Sequence, residues 1–271
     1  MTLALPFPTI DPVLIEIGPF AIRWYALAYI AGLVLGWQYV KRLVQRPGWR
    51  LTPTDVDDLL VYVTLGVVIG GRLGYVLFYR PGFYLEHPLE ALAVWHGGMS
   101  FHGGVLGVVA AAALFGHLRR RSILEIGDAV GAAAPIGLFF GRIANFINGE
   151  LFGRVSEVPW AVVFPHGGSE PRHPSQLYEA GLEGLVLFVV MTWFAWRPRA
   201  PGSDGRLTGI FLIGYGLARS FAELFRAPDA HLGYLVGGLT MGQLLSLPMI
   251  VLGALLVLRS YGRARASLER S

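Results

Sequence analysis

The stretch AVGAAAPIGLFFGRIANFINGELFG, residues 129–153, decides the fold class of this chain. Its first half is an apolar run that could cross a membrane, and its second half carries an arginine, two asparagines and a glutamate. A charge at bilayer depth costs about 2.5 kcal/mol or more, so such residues normally face a bundle interior or a wet cavity. The stretch therefore predicts a membrane helix that ends at a functional site.

The composition of the whole chain agrees with a membrane protein. Of 271 residues, 54% are hydrophobic and 15% are charged, whereas soluble domains carry about 25% charged residues. Cysteine is absent, which excludes disulfides, an enzyme thiolate nucleophile and Cys-ligated metal sites. The net charge of +4 could suggest nucleic acid, but the basic residues flank apolar segments and so point to a bilayer instead.

Seven segments are long and apolar enough to be predicted as spanning helices, each needing about 20 residues. They are residues 21–40, 56–79, 98–116, 124–146, 176–196, 208–225 and 239–258. We expect that the first is not a cleavable signal peptide, because no basic region precedes it. We therefore predict an all-α polytopic membrane protein, with residues 1–271 as a single integral membrane domain.

The positions of the basic residues predict the orientation of these spans. Fourteen of the 22 lie after spans 1, 3, 5 and 7, which must share one side of the membrane: Lys41, Arg42, Arg46, Arg50, Arg119, Arg120, Arg121, Arg197, Arg199, Arg206, Arg259, Arg263, Arg265 and Arg270. That side is the cytoplasm, so the N-terminus is outside and the C-terminus inside. The proline-rich connection 147–175 is then predicted to be a small extracytoplasmic insertion with one or two strands.

Several of the remaining polar residues fall at one depth in different spans. Arg72, Arg142 and Arg219 lie in the outer halves of spans 2, 4 and 6, and His102 and Tyr25 lie near the outer ends of spans 3 and 1. This placement predicts one shared cavity that opens outward. Two structural alternatives stay open: Arg72 could hold a backbone carbonyl or a carboxylate, and Arg142 and Arg219 could form buried ion pairs with Glu150 or Glu223.

Helical spacing adds detail to this predicted cavity. Tyr215, Arg219 and Glu223 follow one another at intervals of four and share a helix face, and Arg142 and Asn145 share another. After Asn145, Gly149 and Gly153 are expected to let the backbone leave the helix and turn. A guanidinium binds phosphate bidentately, so the residues alone predict an outward-facing site for an anionic lipid or solute.

Glycine and aspartate patterns have simpler interpretations. The pairs Gly70–Gly71 and Gly103–Gly104, and the GxxxG spacing of Gly238 and Gly242, are typical of close packing between membrane helices. The residues Asp55, Asp57 and Asp58 cluster at the start of span 2, where they are expected to cap the helix together with Thr54.

Residues 141–153, GRIANFINGELFG, closely resemble the signature of the prolipoprotein diacylglyceryl transferase family. Further blocks resemble that family in the same order: GGRLGYVLFY (70–79), HGGMSFHGG (96–104), RHPSQLYEA (172–180) and YGLARSFAELFR (215–226). The resemblance implies transfer of a diacylglyceryl group from phosphatidylglycerol to the lipobox cysteine of a bacterial prelipoprotein signal peptide, with a thioether and glycerol phosphate as products. It also implies a multi-pass inner-membrane enzyme whose active site faces the extracytoplasmic side, without cofactor or metal.

The same resemblance implies roles for individual residues. His102 would act as the general base on the substrate thiol, with His173 as a second candidate, and Arg142 and Arg219 would bind the phosphate and stabilise its departure. The residues implied to contact substrate are Tyr25, Gly103, Gly104, Arg142, Asn145, Glu150, Gly153, Tyr215, Arg219 and Glu223.

Three rival functions fit the sequence less well. A transporter for an anionic solute would need polar residues through the full membrane depth, yet the inner halves of spans 3, 5 and 7 are almost wholly apolar. A phosphatidyl-transferring synthase would need Mg²⁺ held by close aspartates, and the one aspartate cluster falls on the cytoplasmic side. A structural assembly factor has no use for converging arginines.

Overall fold

In the computed structural model, which describes residues 5–8, 10–18, 20–227 and 235–268, the chain is mostly helical. A helix occupies each predicted segment, with these bounds: α1 Trp24–Leu43, α2 Pro53–Phe78, α4 Phe101–Leu118, α5 Ile123–Ile147, α6 Ser175–Glu179 continued by a π-helical turn Ala180–Val186 and by α7 Leu187–Ala195, α8 Arg206–Ala222 and α9 Met241–Leu268. A short helix α3, Pro81–Glu86, and three 3₁₀ turns complete the helical elements of the described part.

Four of these helices have the length and hydropathy of a membrane span: α2, α5, the continuous helix Ser175–Ala195 and Met241–Ala266 within α9. The segment His102–Leu118 is a shorter apolar helix. Large apolar side chains lie exposed along these helices, among them Leu77, Leu106 and Val251 at 61%, 68% and 60%. Exposed apolar surfaces of this kind are covered by the lipid of a bilayer. The chain is therefore an all-α membrane protein.

The chain forms two compact units, residues 1–43 with 127–271 and residues 44–126. In the first, α8 packs closely along α9 through two glycines. A Cβ on Gly209 would lie 2.6 Å from the Gly253 carbonyl oxygen, and one on Gly253 would lie 2.6 Å from that of Gly209. Because any side chain there would collide with backbone, the glycines bring the two helix axes together.

Short strands flank the helices of the first unit. The strands β2 Val13–Ile17 and β3 Phe20–Arg23 pair antiparallel just before α1. The strand β1 Leu5–Pro6 pairs parallel with β4 Val162–Val163, which lies within the predicted insertion 147–175. That connection also contains isolated bridges from Val155 and Val162 to Arg172, so the predicted strand within it is confirmed.

In the second unit, α2 and α4 pack through the predicted glycines. Cβ atoms on Gly70 and Gly103 would each collide with the other residue's carbonyl oxygen, and one on Gly74 would lie 2.8 Å from the Gly103 Cα. The sequence interpretation of Gly70 and Gly103 as close-packing positions is confirmed.

Arg72 has a structural role in the second unit. It is 5% exposed, and its guanidinium donates to four backbone carbonyls of the connection between α3 and α4: Glu90 at 2.5 Å, Ala91 at 2.9 Å, Gly97 at 2.5 Å and Gly98 at 3.2 Å. The alternative that Arg72 holds backbone carbonyls is therefore confirmed. Its hydrogen bonds fix the connection that leads into α4.

The start of α2 corrects one expectation. The N-cap is Thr52 rather than Thr54: the Thr52 hydroxyl accepts from the Asp55 N–H, and the Asp55 carboxylate accepts from the Thr52 N–H. Pro53 follows the cap because its missing N–H is not needed in the first turn, which shifts the cap two residues earlier than expected. Asp55 also pairs with Arg121 at 2.6 Å, and Asp58 pairs with Arg119.

Candidate active site

Two predicted arginines from separate helices meet at a pair of glutamates in the first unit. Arg142 of α5 places Nε 2.7 Å from Glu179 Oε2 and Nη2 3.3 Å from Glu183 Oε2. Arg219 of α8 places Nη1 3.4 Å from Glu179 Oε1 and 3.6 Å from Glu183 Oε1. The two carboxylates thus bridge two guanidinium groups that are 77 residues apart in sequence.

Two further charges complete what we call the arginine–glutamate cluster: Arg142, Glu179, Glu183, Arg219, Glu223 and Arg226. Arg219 Nη2 lies 2.5 Å from Glu223 Oε1, one helical turn along α8, and Arg226 Nη1 lies 3.7 Å from Glu179 Oε1. Three arginines thereby face three glutamates. The glutamate side chains are at most 5% exposed and the arginines 11–15%, so the cationic groups lie on the more open side.

The hydrogen bonding within the cluster is incomplete. Both carboxylate oxygens of Glu179, Oε1 of Glu183 and Nη1 of Arg219 are buried and make no well-aligned hydrogen bond within the described residues. Arg142 Nη2 does donate to Glu183 Oε2 at 3.3 Å, but the four atoms named above lie close to opposite charges without an aligned hydrogen bond. Buried polar atoms are normally hydrogen-bonded, and exceptions mark strain or a functional role.

The local structure explains how the glutamates reach the arginines. Glu179 ends α6, and Glu183 lies four residues later inside the π-helical turn Ala180–Val186. Spacing of three to four residues places side chains on one helix face, and π turns occur often at functional sites. Next to Glu183, Gly184 packs against Phe139 of α5, where a Cβ would lie 2.7 Å from the Phe139 Cβ, so the two helices approach closely beside the cluster.

The end of α5 forms a hydrogen-bonded turn. Asn145 donates its side-chain amide to Glu150 Oε1 at 2.8 Å, and Asn148 donates to the same oxygen at 3.4 Å. Gly149, which lies between Asn148 and Glu150, has a φ of +66°, a left-handed conformation that glycine adopts without strain. The expected turn at Gly149 is confirmed. Glu150 accepts hydrogen bonds from Asn145 and Asn148, whereas Arg142 pairs with Glu179 and Glu183. The alternative of an Arg142–Glu150 ion pair is therefore wrong.

The role of Gly153 differs from the expected one. Its φ is not positive, so it does not supply a left-handed turn. A Cβ on it would instead lie 2.5 Å from the Phe225 carbonyl oxygen and 2.6 Å from that of His173. The neighbouring Arg154 donates from Nε to the Arg226 carbonyl at 2.9 Å and from Nη2 to that of Glu223 at 3.0 Å. Gly153 is thus needed where the chain passes close to the end of α8.

The other predicted residues of the first unit lie on α1 and α8. Tyr25, 37% exposed, lies in the first turn of α1, with its hydroxyl 3.1 Å from that of Tyr29. Tyr215 lies one turn before Arg219, and its ring stacks on Phe211. Glu223 lies against α9, where a Cβ on Gly242 would meet its carboxylate oxygen at 2.5 Å. The alternative that pairs Arg219 with Glu223 is confirmed.

His102, Gly103 and Gly104 lie in the second unit, at the start of α4. Ser100 caps this helix by accepting from the Gly103 N–H at 3.2 Å, and the Ser100 N–H donates to the Gly71 carbonyl at 2.8 Å. His102 is exposed. These three residues keep their predicted site roles as predictions.

The second candidate base, His173, belongs to a chain of hydrogen bonds. Its Nδ1 lies 3.1 Å from the Tyr178 hydroxyl, which accepts from the Trp160 indole N–H at 2.6 Å. Burial lowers the pKa of His173 below its ordinary value. This shift of the pKa favours the neutral form of the His173 imidazole.

Glu179, Glu183 and Arg226 belong to the site although the sequence interpretation does not include them. A usable signal was present: the two glutamates fall four residues apart in SQLYEAGLEGLVLFVV, an otherwise apolar helix. The cost argument that singled out the arginines applies equally to carboxylates at bilayer depth. Within residues 5–8, 10–18, 20–227 and 235–268, no group of three His, Asp or Glu residues could hold a metal ion.

Comparison with known proteins gives the family. The sequence model of prolipoprotein diacylglyceryl transferase matches residues 12–259. A relative from Paramagnetospirillum magneticum, named phosphatidylglycerol–prolipoprotein diacylglyceryl transferase, is 62% identical over 259 residues, 95% of this chain and 96% of its own. A relative of the same name from Rhodospirillum rubrum is 61% identical over 93% of this chain and 93% of its own. Another from Rhizobium meliloti is 53% identical over 97% of this chain and 96% of its own. The chain belongs to the prolipoprotein diacylglyceryl transferase family.

Proposed function

We propose that the arginine–glutamate cluster holds the phosphate of phosphatidylglycerol during the reaction of this enzyme. The chain transfers the diacylglyceryl group of that lipid to the lipobox cysteine of prelipoproteins, and glycerol phosphate leaves. The observation that carries the site is the convergence of Arg142 and Arg219, from two helices, on buried carboxylates. The family relationship supports the reaction.

The reaction is a displacement at a glyceryl carbon. The cysteine thiol loses its proton, its sulfur forms a bond to that carbon, and the carbon–oxygen bond to phosphate breaks. The electron pair of the broken bond leaves with the phosphate oxygen, so negative charge grows on the departing glycerol phosphate. An enzyme without cysteine can make a thioether because the nucleophile belongs to the substrate.

Arg142 and Arg219 are suited to stabilise that growing charge. A guanidinium has five N–H donors, and Arg142 uses only Nε and Nη2 towards the glutamates. Donors remain for a phosphate on the more open side of the cluster. The glutamates hold both guanidinium groups in place before the lipid arrives, and such preorganised donors are usually the largest electrostatic contribution to catalysis.

The remaining roles follow the predictions from sequence. His102 is proposed as the general base, since a thiol pKa of about 8.5 lies near that of histidine. Asn145 and Glu150, which are hydrogen-bonded to each other, would orient the glycerol hydroxyls. The other proposed substrate contacts are Tyr25, Gly103, Gly104, Gly153, Tyr215 and Glu223.

The proposed placement in the membrane has seven spans, with the N-terminus outside, the C-terminus in the cytoplasm and the site on the extracytoplasmic side. Residues 1–271 would form one integral membrane domain with residues 147–175 as its extracytoplasmic insertion. Support comes from the seven helices at the predicted segments and from the basic residues after spans 1, 3, 5 and 7.

The test is transfer in proteoliposomes that contain the purified protein, phosphatidylglycerol and a lipobox peptide, read by the mass of the peptide. We expect the peptide to gain one diacylglyceryl group, and a peptide with Cys→Ser to gain none. Absence of any mass gain with well-folded protein would contradict the function. A gain that persisted with Arg142→Ala would leave the function intact and remove the cluster from it.

A further inference from the structure

Leu151, in the turn that follows α5, has a backbone conformation that leucine rarely adopts. Its φ is +57°, in the left-handed region where the Cβ of a non-glycine residue comes too close to the following carbonyl oxygen. Its side chain is 42% exposed, so side-chain burial does not account for the conformation. Backbone strain of this kind persists only where the surroundings enforce it, and it is concentrated at functional sites.

Arg120 is the one other non-glycine residue with a positive φ in the part of the chain that the structure describes, and it has an ordinary explanation. It follows α4, where the Arg121 N–H donates to the Gly116 carbonyl at 2.8 Å. This is the Schellman motif, in which a left-handed residue commonly ends a helix. At the end of α5 the left-handed residue of that motif is Gly149, so the conformation of Leu151 needs a different cause.

Two consecutive side chains of α6 hold Leu151 in this conformation. Gln176 donates from Nε2 to the Glu150 carbonyl at 2.6 Å, and Ser175 donates from Oγ to the Leu151 carbonyl at 3.1 Å. These two carbonyls belong to the peptide groups on either side of Leu151, and its φ and ψ set the angle between those groups. Hydrogen bonds that fix both peptide groups therefore fix both dihedral angles.

The two donors are themselves firmly placed. Ser175 and Gln176 are 0% exposed, and they open the helical segment that ends at Glu179. Gln176 Oε1 makes no hydrogen bond within the described residues, so the amide interacts with the turn through Nε2 alone. Close-packed interiors keep buried side chains in defined rotamers, and the turn is thus held against a rigid element.

The helix that holds this turn also supplies carboxylates to the arginine–glutamate cluster. Gln176, Glu179 and Glu183 follow one another at intervals of three and four residues, a spacing that places side chains on one helix face. From that face Glu179 pairs with Arg142 at 2.7 Å, and Gln176 donates to the Glu150 carbonyl. One helix face therefore fixes Arg142 and Glu150 relative to each other.

We propose that Gln176 and Ser175 are positioning residues for the transfer reaction. They hold Leu151 in the left-handed conformation and thereby place the Glu150 carboxylate, which accepts from Asn145 at 2.8 Å. The proposal rests on the proposed function, in which Asn145 and Glu150 orient the glycerol hydroxyls of the lipid. Without the two donors, the turn relaxes to a conformation that leucine prefers, and the Glu150 carboxylate leaves its place.

The test measures kcat/KM for transfer from phosphatidylglycerol to a lipobox peptide in proteoliposomes. Gln176→Leu removes the donor but keeps most of the buried volume. We expect transfer to fall about tenfold, because the left-handed conformation of a non-glycine residue is disfavoured by a factor of about 5–30 in population and the competent fraction sets the rate. Ser175→Ala should lower transfer as well, because it frees the second peptide group.

A second substitution separates positioning from a direct role. In the Gln176→Leu background, Leu151→Gly should return transfer to nearly the wild-type rate, because glycine adopts a positive φ without strain. Leu151→Ala in the same background is the matched control: it also truncates the side chain but keeps the Cβ, so transfer should stay low. Equal transfer in the two double variants, or an undiminished rate in Gln176→Leu, would overturn the proposal.

Hydrogen exchange gives a readout that does not depend on turnover. The Glu150 N–H donates to the Asn145 carbonyl at 3.1 Å, and peptides that cover residues 145–152 should exchange faster in Gln176→Leu than in wild type, while those from α9 stay unchanged. Unchanged exchange in residues 145–152 together with lost transfer would show that Gln176 acts on the substrate directly, which contradicts the proposal. If α9 also exchanged faster, so that Gln176→Leu were unfolded, the same comparison with Ser175→Ala would decide.

Failure of the proposed function has a different signature. Wild-type protein would then modify no peptide, whereas hydrogen exchange in Gln176→Leu would still show whether this side chain holds the turn.

Discussion

Two buried ionic sites in the first unit, both built on α5, differ in how completely their charges are satisfied. Near the start of the helix, Asp128 accepts four hydrogen bonds: from the Thr208 N–H and hydroxyl at 2.8 and 2.9 Å, from the Gly205 N–H at 2.9 Å and from Arg199 at 2.8 Å. Near its end, Arg142 meets the arginine–glutamate cluster, where three buried carboxylate oxygens lack a well-aligned donor.

The difference separates a site that stabilises the fold from one that is ready for a ligand. Asp128 is fully buried and its acceptor capacity is used by the protein itself, so it joins the segment before α8 to α5. In the cluster, the partners are close but poorly aligned, and the arginines keep partial exposure. Removing a charge from each site should therefore affect different properties, activity at one and stability at the other.

The largest expected effect is on catalysis. Arg142→Ala should reduce transfer by about 10³-fold, because one preorganised group that stabilises transition-state charge is worth 10²–10³. Initial rates of peptide modification would measure it, with thermal unfolding as the check that the variant is folded. Arg142→Lys is the control for charge alone, and near-wild-type activity in Arg142→Ala would remove the arginine from the site.

The opposite outcome is expected at the other end of α5. Asp128→Ala should destabilise the protein by about 3 kcal/mol, since it removes the acceptor of the Gly205 and Thr208 N–H groups and each unsatisfied group costs about 1–3 kcal/mol, while each folded molecule keeps its activity. Unfolding in detergent measures the first and specific activity the second. Asp204→Asn, at a 22% exposed side chain that also pairs with Arg199, should cost under about 1 kcal/mol. Unchanged stability in Asp128→Ala would contradict the contrast.

A smaller effect is expected from a glutamate that only positions the arginines. Glu179→Gln removes the carboxylate that faces Arg142, Arg219 and Arg226, and kcat should fall about 100-fold, as expected for a misplacement of about 1 Å. The KM for phosphatidylglycerol should change much less than kcat. A rise in KM at constant kcat would instead show that Glu179 serves ground-state binding.

The smallest effect concerns pH and a residue outside both sites. Burial lowers the pKa of His173 in the folded protein, so the unfolded chain binds a proton first as pH falls below about 6.5. Stability is thus full above that pH and declines below it, until the lowered folded pKa is reached. The unfolding midpoint between pH 7.5 and 5.5 should drop less in His173→Gln than in wild type. An equal drop in both would exclude this histidine as the source.

Much of the fold could be predicted from the sequence because the bilayer imposes a strong constraint on helix length and polarity. All seven predicted segments contain a helix, the close-packing glycines Gly70 and Gly103 lie where α2 meets α4, and Arg219 pairs with Glu223 at helical spacing. Each of these features depends on the spacing of residues or on the cost of burying a charge. Both can be judged from the sequence alone, because spacing and charged positions are visible there.

The details of the polar sites could not be predicted in the same way. Glu150 was a possible partner of Arg142 because the two are near in sequence, yet Glu150 accepts from Asn145 while Glu179 and Glu183 reach Arg142. The sequence interpretation predicts Thr54 as the N-cap of α2, whereas the structure has Thr52 there. Two threonines are available in the sequence, and only the backbone conformation shows which of them is the cap.

The sequence by itself determined the class of the protein, its helices, its family and the arginines of the site, because charge at bilayer depth and a specific motif are local properties. Only the tertiary structure decided which carboxylates those arginines meet and that Gly153 is required by a close backbone approach. These features depend on how helices distant in sequence pack. A π turn or an interior proline alters that packing in ways that residue spacing does not record.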